Sequence, residues 1–285
     1  MDISEVGCTL EFDVTEPAEI ALQVAVSGAV SETLLVNGVA VDRQLITAGK
    51  GALVVRYSAA VPPGSVPPPV TDEERIVALR PSRYCPSDRL GGFAATRFGT
   101  SVPDGAGFST SQPDGASFGT ALPDGAGFGG SRAGDGTAGT VRAITDWVYE
   151  HITYQGGSSG PTTDAVDTLL AGAGVCRDFA HLTATLCRAR NIPARVAAVY
   201  APGLSPMDFH LVVETAIDGH WRVWDATRLA PRQSLIRIAT GRDAADTAFA
   251  TTLSGALTLT GTEILAVAGG NLPFDDHRDL VSLPG

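Results

Sequence analysis

The sequence predicts an α+β fold on three observations. Strand-like segments fill the first sixty residues, helical periodicity occupies residues 140–190, and strands resume from Arg195. Ile20–Val26 and Leu53–Tyr57 are short and rich in β-branched residues, as strands require. Asn37-Gly38 between two apolar triplets is a two-residue hairpin signal. Val61–Pro69 carries five prolines and reads as a stiff linker. Residues 1–70 are therefore expected to form a small β-sandwich-like domain, followed by a linker and docking segment at 71–100.

A decamer repeat comes next: Pro103-Asp-Gly-Ala-Gly-Phe108 recurs from Pro113 and from Pro123. The period is too short for a solenoid, and Pro-Asp-Gly favours turns, so 101–136 reads as a flexible insertion. Residues 137–285 are expected to form the core. Within it, Thr140 can cap a helix carrying Val141, Ile144, Val148 and Ile152, and Asp164 or Thr163 starts a second. A third begins at Cys176, with Val175, Phe179, Leu182, Leu186 and Ala189 on one stripe. Asn191 and Pro193 end it. Strands follow at Leu211–Val213, Trp221–Trp224 and Leu235–Ile238.

At 285 residues, with 44% hydrophobic and 18% charged residues, the chain can bury a sizeable core. A net charge of -11 argues against nucleic acid or an anionic membrane as partner. Cys8, Cys85, Cys176 and Cys187 include no CxxC pair, so neither zinc nor a disulfide framework is indicated, and no metal or cofactor is expected. Met1 runs directly into Asp-Ile-Ser-Glu, unlike a secretory leader, and the expectation is a reducing, cytoplasmic setting.

Cys176 lies where a glycine-rich loop turns into a helix, and there the macrodipole favours a thiolate. A buried structural cysteine is the competing account, so the partners decide. If Asp218-Gly219 closes a hairpin, Ile217 faces His220 and Val212 faces Asp225. His210 and Asp225 then share a face as diagonal neighbours, about 7–8 Å apart at the backbone, a span that suits an imidazole reaching a carboxylate. A cysteine with such a pair is the arrangement of a thiol nucleophile, its base and the base's orienting group.

His181 lies about 140° around the helix from Cys176, and His220 faces away from Asp225. His151 and His277 have no acidic or thiol partner at a telling spacing. Cys187 lies about 16 Å along the helix and reads as a core filler. Glu214 shares the His210 face, either lining the cleft or standing solvated on its strand.

At Gly174-Val-Cys-Arg-Asp-Phe-Ala-His-Leu182, Asn191-Ile-Pro-Ala-Arg195, Asp208-Phe-His210 and Trp224-Asp-Ala-Thr227 the chain resembles the bacterial branch of the transglutaminase-like superfamily. Ser82–Asp88 and Gly241–Asp246 extend the resemblance. It implies a papain-like core, with a nucleophile helix packed on an antiparallel sheet and a small all-β domain ahead of it. It also implies Cys176 as nucleophile, His210 as base and acid, and Asp225 as orienting group. The Cys176 backbone N–H would be one oxyanion donor, with Tyr154 or Gln155 as candidates for a second. Cys85 matches the family, with docking of the linker as its preferred role over that of an auxiliary thiol.

The expected activity is acyl transfer on a peptide or protein amide through a thioester, with hydrolysis favoured. Transglutaminase-type cross-linking, a peptide-N-glycan amidase and a non-catalytic binding module are the alternatives. The oligomeric state is not legible.

Overall fold

The computed structural model describes residues 2–42, 44–64, 67, 69–99 and 134–284, so the decamer repeats lie outside the described residues. In chain order the elements are β1 (Ser4–Leu22), β2 (Ser31–Val36), β3 (Val39–Ala40), β4 (Leu45–Ala48), β5 (Gly51–Val61), α1 (Asp72–Val77), α2 (Gly91–Phe98) and α3 (Gly134–His151). Then come β6 (Thr153–Tyr154), α4 (Ala165–Ala171), β7 (Ala173–Gly174), α5 (Cys176–Ala189), β8 (Ala194–Tyr200) and β9 (Phe209–Ile217). The last are β10 (His220–Trp224), β11 (Ile236–Gly241), α6 (Ala244–Thr247) and β12 (Ala250–Val267).

The first sheet runs β12-β1-β5-β2-β3, with β4 also on β1. Alternation along β1 buries Val6, Cys8, Leu10, Phe12 and Val14, while Glu11 and Asp13 face solvent. The Asn37-Gly38 turn has both residues at positive φ, 47° and 81°, as a tight hairpin demands. β12 runs antiparallel to β1 from Glu5↔Val267 to Leu22↔Ala250. It comes from the stretch assigned to the core by sequence, so both ends of the chain build this sheet. Its residues are mostly exposed, which leaves little alternation to mark where it pairs.

The second sheet is wholly antiparallel, in the order β10-β9-β8-β11. Leu211, Val213 and Ile217 share one core with Phe179, Leu182 and Leu186 of α5, whereas Val212 and Val223 pack with Leu235 and Leu283 in another. The fully buried Leu182 and Leu186 each contribute on the order of 1.5–3 kcal/mol. The α+β class and the helix-on-sheet core expected from the sequence are both present.

α5 differs from a one-sided amphipathic helix, because every residue from Asp178 to Arg188 is buried. The Ser82–Cys85 segment covers the flank away from the sheet. Cys85 Sγ donates to the His181 carbonyl (3.6 Å), and the Tyr84 ring stacks on His181 with centroids 5.2 Å apart. The Tyr84 N–H donates to Asp243 Oδ2 at 3.0 Å, and Arg188 donates to the Ala194 carbonyl and to Ser82 Oγ. Asn191, at φ 57°, closes the helix in the left-handed conformation.

The two sheets meet where Tyr200 donates to the Val24 carbonyl (2.9 Å) and Phe209 stacks on Phe249 at 4.8 Å. Residues 281–284 run along β10, whose Val223 N–H donates to the Val281 carbonyl at 2.8 Å. Among the described residues, no helix is long and apolar enough to cross a membrane.

Candidate functional site

Two short parallel bridges set the position of Cys176. Thr153–Tyr154 pairs with Ala173–Gly174, and Gly172, at φ 64°, turns the chain out of α4 into that bridge. A Cβ on Gly174 would fall 2.6 Å from Asp178 Cβ, so only glycine lets the strand pass this close to the helix. Val175 is extended and α5 starts at Cys176, a partly exposed residue. The other three thiols are buried, and burial pushes Cys8 and Cys85 up to about 11 and Cys187 to about 12.

The β9–β10 turn is Asp218-Gly219, at φ 51° and 75°, and the pairs His220↔Ile217 and Trp224↔Val213 reproduce the register read from the sequence. That register brings His210 Nε2 to 2.9 Å from Asp225 Oδ2, with both side chains buried. Burial opposes the imidazolium, but the Asp225 carboxylate and the Cys176 thiol outweigh it, and His210 is pushed up to about 10. Burial likewise opposes the Asp225 charge, and His210 and Thr227 overcome it, holding the carboxyl below its usual range. With Nε2 engaged by Asp225, Nδ1 is the ring nitrogen left over, and the Cys176 thiol is among the groups that act on the imidazole.

Thr227 is a member of the site to which the sequence reading gave no role. Its N–H and Oγ1 donate to Asp225 Oδ1 at 2.9 and 2.7 Å, so the carboxylate is fixed on both oxygens. The signal was its place two residues after Asp225, the spacing of a local turn bond.

Burial, followed by the neighbouring negative groups, pushes the Tyr154 phenol up to about 12, so it stays protonated, and Cys176 is among the groups that act on it. The Gln155 backbone N–H instead donates to the Gly174 carbonyl at 2.9 Å, and its residue is exposed.

Glu214 neither lines the cleft nor stands in solvent. It is fully buried between Arg195 on β8, at 2.8 Å, and Arg237 on β11, because the cross-strand partners bring two guanidinium groups to it. His181 is structural, and its burial holds it down to about 4. His151 is exposed and stacks on Trp147. His277 has an acidic partner that spacing did not reveal, since its Nδ1 lies 3.6 Å from Asp275 Oδ2. Among the described residues, no group of three or more His, Cys, Asp or Glu is placed to hold a metal ion.

Residues 130–226 match the transglutaminase-like superfamily. Over 98% of this chain and 95% of the other, the fold is similar to the crystal structure of "a Putative Cysteine Protease from Cytophaga hutchinsonii", with TM-score 0.75 and 29% identity. An uncharacterized protein of Mycobacterium leprae (strain TN) is 31% identical over 119 residues, which are 38% of this chain and 42% of that relative. The chain thus spans less than half of the curated relative it matches. Residues 130–226 therefore carry a transglutaminase-like core, in a chain that also folds a β-sheet domain from its N-terminal residues. The family and the similar structure support a thiol-dependent activity.

Proposed function

We propose that the chain is a cysteine hydrolase of amide or peptide bonds, with Cys176 as nucleophile, His210 as base and acid, and Asp225 as the group that orients the imidazole. The observation that carries this reading is the buried 2.9 Å contact between His210 Nε2 and Asp225, with the Cys176 thiol among the groups that act on the same ring. An imidazolium held charged across neutral pH beside the thiol favours a thiolate–imidazolium pair.

The thiolate adds to the substrate carbonyl carbon, and the oxygen takes up negative charge. The Cys176 N–H and the half-exposed Tyr154 hydroxyl supply hydrogen bonds to it. The imidazolium protonates the leaving amine as the C–N bond breaks, which leaves a thioester. His210 then removes a proton from water, the hydroxide adds, and the C–S bond breaks to give a carboxylic acid and the thiolate.

Hydrolysis is preferred to amine transfer because the similar structure covering nearly the whole chain is described as a cysteine protease. The test is incubation with p-nitrophenyl acetate, with and without n-butylamine, followed by intact mass. A transient acetyl adduct on Cys176 that resolves to acetate at a rate independent of the amine supports the reading. Resolution mainly to N-butylacetamide would assign transfer instead, and absence of any adduct would remove the catalytic role.

A further inference from the structure

The residue two places after the nucleophile carries more contacts than a helix cap needs. Asp178 is fully buried and its Oδ2 accepts from the Val175 N–H at 2.8 Å, the bond that caps α5. The same oxygen accepts from Ser159 Oγ, and Oδ1 accepts from Arg177 Nε and Nη2 at 3.2 and 2.9 Å. Arg177 Nη2 reaches on to Ser159 Oγ at 3.1 Å and to the Gly160 carbonyl at 2.9 Å. One buried carboxylate thus ties together the residue before Cys176, the residue after it, and the loop that follows Tyr154-Gln155.

Burying a carboxylate is costly unless its bonds are complete, and a serine or threonine at position 175 would cap the helix without that cost. The extra contacts all lead to the 159–160 loop. That loop leaves the β6–β7 bridge directly after Tyr154, and the bridge pairs Tyr154 with Gly174, two residues before Cys176.

We propose that Asp178, acting through Ser159 and Arg177, is a positioning residue for the oxyanion pocket formed by the Cys176 N–H and the Tyr154 hydroxyl. The inference rests on the functional reading above and extends it from the triad to the frame that aims its donors. Loss of the clasp lets the loop and the helix start move apart, and the two donors no longer converge.

Two reactions at the same sulfur separate this role from a purely structural one. Acylation by p-nitrophenyl acetate forms a C–S bond, expels p-nitrophenolate and passes through an oxyanion. Alkylation by iodoacetamide forms a C–S bond, expels iodide and builds no oxyanion. In Ser159→Ala the acylation rate should fall about 3- to 30-fold relative to alkylation, and in Asp178→Asn about 10- to 100-fold, below the loss from deleting an oxyanion donor outright. Ser159→Thr, which keeps the hydroxyl, should restore most of the ratio. A ratio unchanged in Ser159→Ala overturns the proposal and leaves Asp178 a helix cap; this variant keeps the cap and decides the matter even if Asp178→Asn does not fold. If the unaltered protein alkylates rapidly at Cys176 but is never acylated, the proposal fails while the thiol activation stands. If it does neither, the functional reading itself falls.

Discussion

Replacing Asp275 by Asn removes the charge that balances one of the most completely buried guanidinium groups in the chain. The Arg232 and Asp275 side chains are 1% and 3% exposed. Asp275 accepts from the Arg232 N–H, Nε and Nη2 at 2.9, 2.9 and 2.8 Å, while Arg232 Nη1 donates to the carbonyls of Val223 and Asp279. Removing one partner of such a pair strands the other charge, at a cost of about 3–5 kcal/mol. At about 2–4 °C per kcal/mol for a domain of this order, the melting temperature should fall by about 6–20 °C.

The dependence on pH has a definite sign. Burial opposes the Asp275 charge, but the donors from Arg232 and His277 outweigh it and hold the carboxyl far below its ordinary value of 3.8. The pair's contribution is therefore complete above that value and is lost as pH falls below it. Thermal and urea unfolding of the chain, Asp275→Asn and the double variant Arg232→Met/Asp275→Leu provide the assay. The double variant should recover much of the loss, since neither charge remains buried. A single-variant loss below about 1 kcal/mol, the range of exposed pairs, would refute the reasoning. Because Arg232 holds the Val223 carbonyl two residues before Asp225, the same variant should slow the thiol chemistry.

The remaining predictions concern the site. Cys176→Ala should abolish turnover with the melting temperature nearly unchanged, and His210→Ala should be far more damaging than His220→Ala; equal losses in steady-state assays would contradict the observed β9–β10 register. Thr227→Val removes the 2.7 Å bond to Asp225 and should cost about 1.5–3 kcal/mol, seen as a lower kcat with an intact fold by circular dichroism. Because the His210 pKa is raised in the folded state from its ordinary value of 6.5 to about 10, its stabilising contribution is full below the former and lost through the latter. The stability gap between the chain and His210→Gln should narrow over that window, and turnover should fall on its basic side; a basic limb near the ordinary imidazole value would contradict the assignment. Gly174→Ala, with its Cβ 2.6 Å from Asp178 Cβ, should destabilise by about 1–3 kcal/mol or more in urea unfolding.

Short-range chemistry made much of the site legible. Asp218-Gly219 fixed the hairpin register, and the register alone put His210 beside Asp225. Asn191 and Pro193 marked the end of α5, and the glycines before Cys176 marked its start. Features set by non-local pairing were not legible. β12 meets β1 across most of the chain's length, and its exposed residues carry no alternation from which to infer a partner. Glu214 reads as solvated until β8 and β11 bring Arg195 and Arg237 to it from separate parts of the sequence. The stripe on α5 showed one apolar face, and the burial of the rest depends on the Ser82–Cys85 segment, which lies some ninety residues upstream.

The central claim is that Cys176 and His210 form an activated thiol–imidazole pair. Its most direct test is the rate of iodoacetamide labelling at each cysteine as a function of pH, read by peptide mass spectrometry. Cys176, partly exposed and beside His210, should label fast and keep labelling well below about pH 8, where a free thiol is largely protonated. Buried Cys8, Cys85 and Cys187 should label only on unfolding, and the fast phase at Cys176 should collapse in His210→Ala. Slow labelling of Cys176 with the pH profile of a free thiol, unchanged in His210→Ala, would contradict the account.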